Sequence, residues 1–137
     1  MAILLDPSAV LAAADVADLN HAAAAAWFRR VDEPLLLGSL GLADLDVLLQ
    51  RELGAAASLA VIEALVAGSI RLLSPTLDDL ARAAVLMREA AEHRPTLADA
   101  LLIATAERLG IRRVAAFDRR PLAVFRPTHV RSLDFEP

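Results

Sequence analysis

The chain is 137 residues long, 57% hydrophobic, and carries a formal net charge of −4. That length suits a single domain over residues 1–137 with a real core, and no apolar run approaches the ~20 residues that span a bilayer. All 14 Lys/Arg positions are arginine and there is no cysteine, which excludes lysine-dependent chemistry, disulfides, thiol catalysis and sulfur-ligated zinc. The acidic balance argues against a simple basic nucleic-acid binder. No basic region precedes the first apolar segment, so no signal peptide is expected and the chain reads as cytoplasmic.

Ala2 to Leu5 is a short apolar run of the kind buried in a parallel sheet. Asp6-Pro7-Ser8 follows it, and proline at a first helical position with aspartate before it starts a helix. Asp6 is therefore either a cap or a carboxylate at a strand's carboxyl end, where sites form; the sequence leaves both open. A second helix is expected over Asn20 to Val31, with Ala23, Ala24, Trp27, Phe28 and Val31 on one face. Trp27 reads as core or interface. His21 has no partner at metal-ligand spacing and reads as ordinary. Pro34 ends this helix and Leu35 to Leu37 is a second strand.

Ser39 opens a third helix to Leu53, ended by Gly54. Asp44 and Asp46 sit on it about 200° apart, so one faces a site while the other faces solvent or a neighbour. A fourth helix, Ala55 to Ala67, is expected to bury Leu59, Ile62 and Val66 and expose Glu63. Ile70 to Leu73 is a short extended piece. Thr76 begins a fifth helix to His93, with Leu77, Leu80, Ala84, Met87 and Ala91 at amphipathic spacing. Asp78 and Asp79 in its first turn favour the helix dipole and read as structural.

The stretch from Thr96 to Arg120 organises the chain. It reads as a helix, a turn at Gly110, a strand over Arg113 to Phe117, and an acid at that strand's end. Thr96-x-x-Asp99 is a capping-box pattern with aspartate in the acid position, yet the helix behind Asp99 is almost wholly apolar. Asp118 either caps a turn at Arg119-Arg120-Pro121 or joins a site. Leu122 to Phe125 and Val130 to Leu133 are expected as a final extended pair.

Alternating strands and helix pairs imply a three-layer α/β/α sandwich with a mostly parallel sheet. Asp6, Asp44, Asp99 and Asp118 then fall at the carboxyl end of that sheet. Four carboxylates brought together repel and raise one another's pKa. A divalent cation resolves the conflict, and an all-oxygen donor set suits Mg²⁺ or Mn²⁺ over zinc. A phosphoacceptor receiver domain needs a late lysine, which is absent. A haloacid-dehalogenase-type phosphatase wants an aspartate where Ser8 stands.

Four segments carry a resemblance: Ile3-Leu4-Leu5-Asp6-Pro7-Ser8-Ala9, Ala43-Asp44-Leu45-Asp46-Val47-Leu48-Leu49, Ala98-Asp99-Ala100-Leu101-Leu102-Ile103-Ala104, and Ala116-Phe117-Asp118-Arg119-Arg120. In this order and spacing the chain resembles the PIN-domain nucleases, in particular VapC-type toxins of toxin–antitoxin pairs. The resemblance implies a PIN-like fold, a Mg²⁺- or Mn²⁺-dependent endoribonuclease, a homodimer and a cognate antitoxin. It places Asp6, Asp99 and Asp118 among the metal-binding aspartates, with Ser8 as the hydroxyl beside the first. Two positions depart from the family pattern. Asp44 stands where glutamate is usual, one methylene shorter, and Ala116 where threonine is common. Asp44 joins the other three acids as a metal-binding and catalytic candidate. Ser8, Arg119 and Arg120 are the candidates for contacting the RNA. The alternatives are a catalytically weakened PIN-like binding or assembly module, and a PIN nuclease of RNA processing with no toxin role.

Overall fold

A computed structural model describes residues 1–137. In chain order the elements are β1 (Ile3–Leu5), α1 (Pro7–Ala14), α2 (His21–Arg30), β2 (Leu35–Gly38), α3 (Ser39–Leu53), α4 (Ala55–Ala67), β3 (Arg71–Leu73), α5 (Leu77–Glu89), a 3₁₀ turn (Ala91–His93), α6 (Leu97–Leu109), β4 (Arg113–Ala115), α7 (Arg120–Ala123) and β5 (Asp134–Glu136). The strands form one sheet in the order β3-β2-β1-β4-β5. Every pairing is parallel, so the sheet is wholly rather than mostly parallel. The chain moves outward from β1 through β2 to β3, then crosses over to β4 and β5. The direction reverses between β1 and β4, and in open parallel sheets the crevice beyond that reversal is where sites form.

Successive strand residues point to opposite faces, and both faces are covered. Leu4, Leu36 and Val114 pack with residues of α5, α6 and α7. Ile3, Leu5, Leu35, Leu37 and Ala115 pack with residues of α1, α2, α3 and α4. Gly54, at φ +91°, lets α3 end and α4 begin with no intervening loop, and Gly110, at φ +66°, closes α6 in the left-handed region. No helix is long and apolar enough to cross a membrane.

The structure corrects three expectations. Leu122 to Phe125 is not extended. Pro121 falls in the first turn of the short helix α7, and Leu122 and Phe125 reach the same core cluster at helical spacing. The last strand lies later than Val130 to Leu133, at Asp134–Glu136. Its two acids disguise it, and arginines of the neighbouring strand region neutralise them: Arg112 bonds Asp134 at 2.9 Å, and Arg113 bonds Glu136. The rotations of α4 and α5 also differ. On α4, Ser58 and Val61 are buried while Leu59, Ile62 and Val66 are exposed. This helix is apolar all round, so periodicity cannot set its phase. The hydroxyl of Ser58 sets it by donating to Asp46 on α3.

On α5 the buried stripe runs through Asp79, Ala83 and Leu86, and Leu77 is exposed. Asp79 is 2% exposed. It closes a full capping box with Thr76 and accepts two hydrogen bonds from Arg108, at 2.8 and 3.0 Å. A parallel fork joins Arg82 to Glu107 at 2.7 and 3.0 Å. These two pairs bind α5 to α6, and a paired buried carboxylate takes the interior position that an isolated one would forfeit.

The Arg108 guanidinium holds the Asp79 carboxyl below the usual aspartate range. The folded carboxyl titrates below its unfolded value, so its contribution is complete above the ordinary aspartate pKa and is lost as the pH falls through the lowered value. Asp79→Ala is expected to cost about 2 kcal/mol near neutral pH, from the lost cap and a partly exposed unpaired Arg108. Thermal melts from neutral to acid pH check both points: the variant's deficit should shrink as the pH drops.

Candidate functional site

Strand β1 delivers Asp6 directly to the N-cap of α1. Its backbone N–H donates to the Ala115 carbonyl at 2.9 Å, tying the carboxyl ends of β1 and β4. Its carboxylate accepts from the Ser8 backbone N–H at 3.0 Å and from the Ser8 hydroxyl. The same hydroxyl accepts the N–H groups of Phe117 at 3.1 Å and Asp118 at 3.3 Å. Ser8, expected to contact substrate, is thus fully engaged within the protein and fixes the segment that leaves β4.

Asp99 lies in the first turn of α6. Thr96 accepts its backbone N–H at 3.2 Å, as the capping pattern predicts. The reciprocal bond from carboxylate to cap N–H, present at Asp79, is not formed here. Two similar sequence patterns therefore part company: Asp79 is structural, whereas the Asp99 carboxylate lines the cleft. The two acids of α3 separate in the same way. Asp46 accepts from Gln50 at 2.8 Å and from Ser58, whereas Asp44 lines the cleft. Asp118 does not cap α7, whose N-cap is Arg119 without a side-chain bond.

All seven residues singled out from the sequence, Asp6, Ser8, Asp44, Asp99, Asp118, Arg119 and Arg120, line one cleft of about 870 Å³ at the sheet's reversal point. Leu4, Leu48, Leu101, Leu102 and Phe117 supply apolar wall. Asp18 and Asn20, between α1 and α2, also border it. Sequence reasoning passed over these two; the one local signal was the Asp-x-Asn turn, closed by the Asn20 N–H to Asp18 at 2.7 Å.

The acids sense one another. Burial pushes the Asp6 carboxyl above its ordinary value; the Ser8 bonds pull it back in part, and Asp99 and Asp118 push it further up. Burial likewise raises Asp99, partly offset by Thr96 and reinforced by Asp44 and Asp118. Asp99 is therefore coupled to all three other acids. No three carboxylate or imidazole groups are already gathered as a metal site, so the acids share a cleft without forming a closed cage. The two arginines differ. Arg119 donates to the carbonyls of Ala116 at 3.0 Å and Pro137 at 2.8 Å. Arg120 is 92% exposed and bonds Asp118 at 3.3 Å.

A family model described as the PIN domain matches residues 3–126. The chain belongs to the PIN-domain family. This PIN domain is 30% identical over 125 residues to ribonuclease VapC26 of Mycobacterium tuberculosis, covering 91% of the present chain and 93% of that protein. Its fold matches the crystal structure of VapC20 of M. tuberculosis, titled a sarcin–ricin-loop-cleaving toxin. The TM-score is 0.82 at 24% identity, over 94% of this chain and 98% of that one. The FitAcB structure of Neisseria gonorrhoeae matches at a TM-score of 0.68 and 20% identity, over 100% of this chain and 97% of that one. VapBC2 of Rickettsia felis, bound to a DNA fragment from its promoter, matches at 0.69 and 10%, over 99% and 98%. The VapC-type resemblance and the PIN-like α/β fold read from the sequence are both found.

The two acids of α3 give a direct contrast. Asp46→Ala removes the tie between α3 and α4 and is expected to lower the melting temperature. Asp44→Asn removes an exposed acid that only repels Asp99, so the melting temperature should stay level or rise slightly. Paired thermal melts of the two metal-free variants check this.

Proposed function

We propose that this PIN domain is a divalent-metal-dependent endoribonuclease and the toxin member of a toxin–antitoxin pair. One observation carries the reading: Asp6, Asp44, Asp99 and Asp118, from four separate segments, line a single cleft, and Asp6 and Asp99 are held above their ordinary pKa by burial and by neighbouring cleft acids. The chain has no lysine to neutralise them. An all-oxygen donor set of this kind fits Mg²⁺ or Mn²⁺. Asp6, Asp99 and Asp118 would hold the cation, with Asp44 reaching it directly or through water. When bound, such a cation makes water a nucleophile near neutral pH and stabilises negative charge at a phosphodiester.

The chain's own residues do the rest. Ser8 keeps the Asp6 carboxylate aimed and anchors Asp118. Arg120, exposed at the rim, is placed to grip an RNA phosphate. The leucines and Phe117 of the cleft wall exclude water from one side of the acids. The chain's few aromatic residues provide little base stacking, which favours recognition of RNA shape. The similarity to VapC26, named a ribonuclease, and to VapC20, titled a toxin, supports the RNA substrate.

A cognate antitoxin and a second copy of the chain are the proposed protein partners. The VapBC2 match is to a toxin–antitoxin complex by its name. Leu59, Ile62 and Val66 on α4 and Val47 on α3 stand exposed, apolar surface of the kind partners cover.

The rival reading, a PIN fold that has lost catalysis and serves as a binding module, draws on Asp44. That carboxylate is exposed and one methylene shorter than the usual glutamate. Cleavage of a fluorescent RNA with Mg²⁺ or Mn²⁺ separates the two readings. The wild type should cleave with either ion and stop with chelator. Asp99→Asn should lose on the order of 100-fold or more. An inert wild type beside an active Asp44→Glu would install the binding-module reading instead.

A further inference from the structure

Arg119 and Arg120 are neighbours at the cleft rim, yet only Arg119 is bound back to the backbone; Arg120 is exposed and bonds Asp118 alone. The Arg119 guanidinium reaches back to the Ala116 carbonyl at 3.0 Å and across to the Pro137 carbonyl at 2.8 Å. It also lies over the Phe135 ring, 5.5 Å from the centroid, a cation–π distance. Its contacts thus join two pieces of chain: the segment that carries Asp118 and the end of β5. That segment has no regular structure of its own. From one side it is held by Ser8, which accepts the N–H groups of Phe117 and Asp118. From the other it is held by Arg119 and by the Ala116 N–H to Glu136 carbonyl bond of 2.9 Å.

The far end of this strap is well anchored. Glu136 accepts from the Trp27 indole at 2.9 Å and from Arg113, and Arg113 also reaches Glu33 at 2.6 Å. Strand β5 and Pro137 lie beyond residue 126, where the family match ends.

We infer that Arg119 is a positioning residue for Asp118, acting through the β5 strap, and that it does not grip RNA phosphate. The inference rests on the nuclease reading for its kinetic consequence but not for its structural one. Removing the guanidinium frees Asp118 on one side while leaving Arg120 in place to meet phosphate.

Two measurements on the full-length chain test this. The first is amide hydrogen exchange of the metal-free protein; the second is steady-state cleavage of a fluorescent RNA oligonucleotide with Mn²⁺. Arg119→Ala should speed exchange at Phe117 and Asp118 by about tenfold, the scale of losing one or two local hydrogen bonds, with Leu4 and Val114 unchanged. It should lower kcat by about 10- to 100-fold while KM stays within about twofold, as misplacement of a catalytic group does. Arg119→Lys keeps the charge but not the two-directional fork, so it should recover little of kcat. A raised KM, unchanged exchange at Phe117 and Asp118, and recovery by lysine would overturn the inference in favour of a phosphate contact. If Arg119→Ala unfolds, with protection lost at Leu4 and Val114 as well, Phe135→Leu decides: faster exchange at Phe117 and Asp118 supports the strap and unchanged exchange refutes it. If the wild type cleaves no RNA with either ion, the exchange arm still judges Arg119, and the nuclease reading alone falls.

Discussion

The carboxyl ends of β1 and β4 meet at one hydroxyl. Ser8 donates to Asp6 and accepts two backbone N–H groups from the segment after β4, while the Asp6 N–H reaches Ala115. These bonds close the point where the sheet reverses direction. Two acids far apart in sequence are thereby held at the same edge. The three-residue strands β1 and β4 are too short to define that edge alone, and Ser8 supplies the acceptor for the N–H groups of the departing segment. The cleft, its electrostatics and the approach of α6 all depend on this junction.

Accumulating like charge costs the fold stability, and the compensation lies elsewhere in the molecule. Asp6 and Asp99 are raised by burial and by neighbouring acids of the cleft. At α5 and α6 the logic inverts: Asp79 with Arg108, and Glu107 with Arg82, are paired by two hydrogen bonds each. Both acids that join α5 to α6 have an arginine. Of Asp6, Asp44, Asp99 and Asp118 in the cleft, only Asp118 has one, at 3.3 Å. The absence of neutralising partners at Asp6, Asp44 and Asp99 marks these acids as available to a ligand rather than to the fold.

The fold class and the four acids were legible because both follow from patterns the chain displays openly: short apolar runs followed by capped helices, with aspartates at their junctions. What was not legible follows from interactions invisible in one dimension. Thr76-x-x-Asp79 and Thr96-x-x-Asp99 look alike, and only Arg108, 29 residues further on, makes the first structural. Leu59, Ile62 and Val66 share a helical spacing, but so do Ser58 and Val61, and the bond from Ser58 to Asp46 chose the latter pair for the interior. Strand β5 was hidden because Asp134 and Glu136 are charged, and their arginine partners lie on and just before the neighbouring strand. Arg119 looked like Arg120 until the return of β5 supplied its acceptors.

The only tryptophan in the chain donates its indole N–H to Glu136, and its ring meets Phe28 edge-on at 4.9 Å. Trp27 therefore sits at the anchor of the strap that passes on to Arg119 and Asp118. Release of β5 would break the indole's bond to Glu136. With no tyrosine in the chain, ultraviolet emission comes almost entirely from this one ring. The molecule thus carries its own optical gauge of the C-terminal strand, readable without labels and without any reaction taking place.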